Sequence, residues 1–467
     1  MDFSPSEESQ SFSLTKFESM LRTNNVFFFD SNEFEIIIHH YLEIGKISLA
    51  KKAIKLGLDQ HPSSVNLKLF KVEILIFENN LSAADKLLSS LFNLEPNNQE
   101  LFIQKANIYS KKDQHNKAIR VFEKALKIFD DSSEIHSLIG MEYLFLDNYE
   151  NAKKHFMKCI EFDIEDYSSL YNIIYCFEFL NQNEKAINYL IWYLDQNPYC
   201  EIAWHQLGKK YLESKLFKKA LTAFDFAIIS DETFIGAYLE KAKVLEHLKR
   251  FEEAIENYKI SLAIEGPSAF TYLKIGVCHR KMFQDLKAIK YFFKCVKNDP
   301  AFDKGWIELA NFYFYKKNYV KAQFYIDKAI NIDDENINYW LLHSKVNTIL
   351  NNYEEAEKGY KKLLDLGDMS IDTWVQRGDI LIKLGKLKAA KNNLIEAKKY
   401  HSKNEELEFR LAGIYFELKE PESGFIHLLH GLHINAEHVF IIEELFPKIY
   451  KSQKVVKFIS SYKNSSN

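Results

Sequence analysis

His427, His430 and His433 are spaced three residues apart. On a helix the first two are close neighbours, which is how a metal site can begin. A metal asks for further ligands and an outer shell to orient them, so these histidines read as part of a solvated outer face. The five cysteines, Cys159, Cys176, Cys200, Cys278 and Cys295, include no C-x-x-C pair, which argues against a zinc site or a disulfide framework. No P-loop, dinucleotide fingerprint, G-x-S-x-G or H-E-x-x-H motif occurs, and 15 glycines leave no phosphate-cradling loop. The reading is therefore non-enzymatic, with no cofactor. Lys448, Lys451, Lys454, Lys457 and Lys463 could meet an acidic surface, but their spacing of three suits the wet side of a terminal helix.

Composition narrows the partner class. Lys plus Arg number 61 and Asp plus Glu 65, for a net charge of −4, which lacks the basic excess that draws nucleic acid. Of the 467 residues 47% are hydrophobic and 27% charged, enough to bury a large core. With 15 Gly and 8 Pro the chain is too poor in turn formers for an all-β fold. The N-terminal MDFSPSEESQSFSLTKF has no apolar stretch of the kind a secretory signal needs. The apolar run Val26 to Phe29 is too short to span a membrane. A cytoplasmic location is the expectation.

The elements that position these residues follow a fixed period. Ala50, Ala84, Ala118, Ala152, Ala186, Ala220, Ala254, Ala288, Ala322, Ala356 and Ala390 stand 34 residues apart, and the next step falls on Gly424. Placing these at position 20 starts units at 31, 65, 99, 133, 167, 201, 235, 269, 303, 337, 371 and 405. Twelve units then run from 31 to 438 without insertion, between an acidic, Ser-rich tail with a capping helix over 1–30 and capping helices with a short tail over 439–467. Position 8 is usually small, as at Ala106, Gly140, Gly208, Gly276 and Gly378, and position 11 is often aromatic, as at Tyr41, Tyr109 and Phe177. Position 24 is apolar or aromatic, position 4 carries Trp204, Trp306, Trp340 and Trp374, and position 32 is Pro62, Pro96, Pro198 and Pro300 in four units.

Small at 8, aromatic at 11, Ala at 20, aromatic at 24, small at 27 and Pro at 32 resembles the tetratricopeptide repeat. The stretch Trp204 to Tyr211 followed by Ala220, Phe224 and Ala227 is similar to its consensus, and the whole resembles long bacterial proteins of this family. The resemblance implies an all-α fold, an α-solenoid of helix hairpins wound as a right-handed superhelix.

The residues agree. Apolar positions 4, 7, 8 and 11, then 20, 24 and 27, form two helical stripes, with turn residues such as Asp147-Asn148 and Asn351-Asn352 between them. Small residues at 8 and 20 let the paired helices approach to the usual ~8–10 Å, and stacking hairpins supplies the core that one hairpin lacks. Ile38, Val72 and Ile174 are large at position 8, which predicts more open hairpins there. Leu14, Phe17, Met20 and Leu21 predict an N-terminal covering helix over 14–23, and Val455, Val456, Phe458, Ile459 and Tyr462 one side of a terminal helix pair.

In the resembling family the first helix of each unit lines the concave face, with positions 2, 5, 9 and 12 turned to the ligand. Carried onto this chain, the resemblance implies a partner-binding stripe. Positions 5 and 9 contribute Tyr171, Tyr175, His205, Lys209, Leu239, Lys243, Leu273, Asn311 and Lys345, and position 12 and its neighbour add Phe145, Phe179, Arg280 and Phe314. Aromatics give contact area at little entropic cost, and Lys and Asn hydrogen-bond a peptide backbone or acidic side chains. No three consecutive units carry the Lys and Asn pattern with which members of the family clamp a chaperone C-terminus. The expected function is a scaffold or adaptor for a protein or peptide. The alternatives are an RNA-binding helical-repeat protein, which the acidic balance argues against, and a sensor that tightens around a signalling peptide.

Overall fold

A computed structural model describes residues 5–23, 26–129 and 132–465. Among the described residues every regular element is helical. The chain divides into two compact units, Met1–Phe234 and Ile235–Asn467.

In the first unit a helix over Pro5–Thr23 precedes hairpins whose first helices begin at Ser31, Val65, Gln99, Ser133, Tyr167 and Glu201. In the second unit the corresponding helices begin at Ile235, Ala269, Asp303, Ile337, Ile371 and Glu405. The starts have a local cause. The residue just before each first helix is the N-cap, and Ser64, Asp166, Ser268 and Asn404 each accept a hydrogen bond from a backbone N–H three residues on. Cys200 does the same through Sγ to the N–H of Ala203, so one of the cysteines serves as a cap.

The turn inside each hairpin is sharper than the sequence suggests. One residue takes a left-handed conformation, for example Asn79 (φ 61°), Asp147 (φ 53°), Lys215 (φ 57°), Phe283 (φ 58°) and Gly385 (φ 71°). The next N–H then bonds back five residues, as Leu216 to Tyr211 O at 2.8 Å, which satisfies a helix-end carbonyl.

Packing explains the small residues at position 8. In Gly140, Gly208 and Gly276 the absent side chain makes room for the ring of Phe156, Phe224 or Phe292 sixteen residues on. Where position 8 is large the partner becomes aliphatic: Ile38 with Ile54, Val72 with Leu88, Ile174 with Leu190, all buried. The exchange is partial, because the backbones of Tyr167–Phe179 and Asn183–Gln196 approach at far fewer points than those of Glu201–Glu213 and Phe217–Ser230. The more open hairpin predicted at Ile174 is thus seen. Tryptophan at position 4 ties neighbouring hairpins, since Trp204, Trp306 and Trp340 donate from Nε1 to the carbonyls of Pro198, Pro300 and Asp334 at 2.8 Å.

The covers differ in part from expectation. The N-terminal helix is longer than 14–23, with Phe17 and Met20 buried against the first hairpin as expected. Phe29 is buried while Phe28 is exposed. The tail residue Asp2 and the side chains of Glu7, Glu8 and Lys463 lie outside the described residues. At the other end Val455 and Ile459 are buried but Val456 faces out. The expected terminal helix pair is broken in its first half into a 3-10 turn Ala436–Val439 and short helices Phe440–Leu445 and Pro447–Tyr450, because Pro447 removes the N–H that would continue the helix.

Candidate functional site

The first helix of a hairpin has one side on its partner helix and one side open. A helical turn of about 100° per residue decides which residues share each side. Lys209 and Lys210 illustrate the division. Lys210 is buried and its Nζ lies 2.5 Å from Glu178 and 3.0 Å from Glu213, while Lys209 is only half-buried.

In the first unit the open side gathers aromatic rings. Phe145 is 61% exposed, and Tyr171, Tyr175 and Phe179 are also exposed. They are not loose. Phe179 stacks on Tyr149 at 4.7 Å and meets Tyr175 at 4.6 Å, and Phe145 stacks on His115 at 5.2 Å. Each of Phe145 and Phe179 thus leans one face on the preceding hairpin and offers the other to solvent. The Tyr149 hydroxyl donates to Asp147 at 2.8 Å, and that bond, with burial and the carboxylate charge, pushes its ionisation up to about 12. The Tyr171 hydroxyl is pushed up as well, by partial burial that outweighs its hydrogen bond with Gln206.

His205 departs from the expectation. Its ring packs on Phe224 at 5.8 Å and Phe234 at 5.2 Å, and both ring nitrogens are shut from solvent. Leu273 in the second unit is likewise a core residue. The reason is general: position 5 is also buried in Leu69, Ile103, Val375 and Phe409. Position 5 sits one turn before position 8, at the edge of its packed side. Of the residues assigned to position 5, Tyr171 keeps an exposed ring and Leu239 is half-buried.

The second unit offers mainly cations and amides. Lys243, Asn311 and Lys345 are exposed. Lys243 is paired with Glu240 at 3.2 Å. Arg280 is tied to Glu308, whose carboxyl is pushed up by burial despite the guanidinium beside it. Phe314 is half-buried with its ring edge on Tyr319 at 5.7 Å.

The histidine triplet is divided as well. His427 does not lie on a solvated face: its Nδ1 is 2.5 Å from Glu408 and its ring stacks on Tyr415 at 5.1 Å. His430 and His433 are exposed. Burial raises the Glu408 carboxyl, but bonds from His427 and Lys398 outweigh it and hold the group below its ordinary value. Among the described residues no cluster of three or more His, Cys, Asp or Glu is placed to hold a metal. All five cysteines are buried and unbridged, and burial pushes Cys176 up to about 11 and Cys278 and Cys295 up to about 12. No helix among the described residues is long and apolar enough to cross a membrane.

Three features escaped the sequence reading. Glu73, at position 9, lies 3.3 Å from Gln104 Nε2 and close to Glu100. A cavity of about 420 Å³ opens between Ile191, Trp204, Lys219 and Phe226. Arg410, nearly buried, grips Asp379 with two bonds of 2.7 and 2.8 Å at the edge of a cavity of about 630 Å³. The period gave the positions of these residues, and only the three-dimensional neighbours reveal their pairing.

A family model for the tetratricopeptide repeat matches residues 99–131, 133–163, 235–265, 303–336 and 371–403. The chain carries tetratricopeptide repeats. Anaphase-promoting complex subunit 3 of Schizosaccharomyces pombe is 23% identical over 253 residues, covering 54% of this chain and 38% of that protein. A TPR repeat-containing protein of Methanocaldococcus jannaschii is 24% identical over 371 residues, covering 77% and 62%. The chain therefore spans less than two thirds of either relative. TPR repeat-containing protein YpiA of Bacillus subtilis is 22% identical over 372 residues, covering 79% and 87%. Tetratricopeptide repeats form scaffolds that typically work through protein–protein contacts, and the all-α hairpins described above are their building unit.

Proposed function

We propose that this chain is a non-enzymatic scaffold that holds a protein or peptide partner on the open sides of its first helices. The observation that carries the reading is the set of four exposed rings, Phe145, Tyr171, Tyr175 and Phe179, on two consecutive first helices of the first unit. Exposed aromatics that are already oriented by stacking give contact area with little ordering cost. Lys209 in the first unit and Lys243, Asn311 and Lys345 in the second supply donors for a peptide backbone or for carboxylates. The twelve hairpins from 31 to 438 form the binding array in this reading, and the segments 1–30 and 439–467 cover its ends. One relative is by name a subunit of a multiprotein complex, which is in keeping with an assembly role. The acidic net charge weighs against the RNA-binding reading.

The test is affinity capture from the source cells with Tyr171, Tyr175, Lys209 and Lys243 changed to Ala. Loss of the captured partner is the expected result, and undiminished recovery would count against the reading.

A further inference from the structure

The C-terminal segment after the last hairpin does not simply cap the stack. Residues 436–450 form a 3-10 turn and two helices of six and four residues, each far too short to persist without tertiary contacts. Those contacts are made with the helix Glu405–Glu417. Phe446 is 4% exposed and seated over Gly413, where any Cβ would collide with its ring. Ile441 and Ile442 are buried beside it, and His438 Nδ1 lies 3.1 Å from Glu405. Gly413 is at position 9, the position that carries Lys345 and Asp379 in the two preceding hairpins. The segment therefore occupies the open side of its own last hairpin.

The fit leaves a space. The cavity of about 630 Å³ is walled on one side by Phe440, Leu445 and Glu444, and on the other by Thr348, Ile380 and Lys383. Phe440 is 51% exposed. Asp379 and Glu406 both pair with Arg410. Among the described residues Lys383 is in no ion pair, its Nζ lying 5.5 Å from the centre of the Tyr353 ring, whereas the segment presents exposed Glu443 and Glu444. The wall on the hairpin side thus sets the apolar surface of Ile380 beside one lysine that holds no ion pair, and the segment lines the same cavity with Phe440, Leu445 and the carboxylate of Glu444.

Resting on the scaffold reading above, we propose that residues 436–450 are a built-in occupant of the second unit's open side. The partner seated there is a short amphipathic helix of the same chemistry, with Phe, Ile or Leu on one side and carboxylates on the other. It binds by displacing Phe446 from Gly413. While the segment is seated, the competent fraction is small and the apparent affinity falls by that fraction.

A fluorescein-labelled peptide with the sequence of residues 436–450 is the probe, added to the full chain. Binding to Phe446→Ala is expected to be about tenfold or more tighter than to the unaltered chain. Phe446→Leu should behave as the unaltered chain, and adding Lys383→Glu to Phe446→Ala should remove the gain. Circular dichroism checks that each variant keeps its helicity. In the unaltered chain, saturating peptide should speed hydrogen exchange at the amides of 440–446. Unchanged exchange at saturation overturns the proposal without any variant, and so does equal affinity for Phe446→Ala and the unaltered chain. The capture experiment probes mainly the first unit, so its failure with peptide displacement intact would remove the aromatic-cluster reading alone.

Discussion

Gly208 and Phe224 face each other across one hairpin so closely that a methyl group added to Gly208 would lie 2.5 Å from the ring. Glycine inside a helix ordinarily costs about 1 kcal/mol relative to alanine. Here the ring occupies the space, so Gly208→Ala is expected to destabilise the first unit by about 1–3 kcal/mol, as overpacking does. Adding Phe224→Leu should recover part of the loss, since Ala412 and Leu428 already hold the same two positions, both buried, in the hairpin that starts at Glu405. Urea denaturation of the single and double variants checks both. A stabilised single variant would contradict the packing argument.

Phe283 sits in the left-handed region at φ 58° while 89% exposed. A side chain there strains against its own backbone by about 1–2 kcal/mol, and Asn tolerates the conformation better. Phe283→Asn is therefore expected to stabilise the second unit by about 0.5–1 kcal/mol while removing little packing. Thermal unfolding is the measurement, and an unchanged or lower midpoint is the opposing result.

Glu73 gives a pH dependence. Burial, with the Glu100 charge as second cause, pushes its carboxyl from 4.5 up to about 7. The folded state binds this proton more tightly than the unfolded chain. Its contribution to stability is full below pH 4.5 and is lost as pH rises through 7. Glu73→Gln keeps a neutral group at every pH. The variant should match the unaltered chain near pH 4.5 and exceed it by about 1–3 kcal/mol at pH 8. Denaturation midpoints at the two pH values decide, and an equal difference at both would contradict the assignment.

The period made the helices legible because it fixes both stripes at once. The first helices begin at residues such as Ser133, Tyr167 and Glu201, where position 1 falls. The small residues at position 8 were legible for the same reason, though their partner, the ring at position 24 of the same hairpin, shows only in space. Position 5 misled because His205 and Leu273 lie at the border between the open and packed sides, and a one-residue rotation decides the outcome. The left-handed turn residue was legible where it is Asn181 or Gly385, but Lys215 and Phe283 carry no local preference for it. The seating of Phe446 was hidden because it joins residues 33 apart through a broken helix. Gly413 at position 9 and Pro447 were the signals that could have pointed to it.

The central claim is that a protein partner lies on the open sides of the first helices. A photo-crosslinking residue placed at Tyr175, and in a second protein at Ile229, which is exposed on the second helix Phe217–Ser230, tests it directly in the source cells. A discrete adduct from position 175 and none from 229 is the expected result. An adduct from 229 with none from 175 would contradict the account.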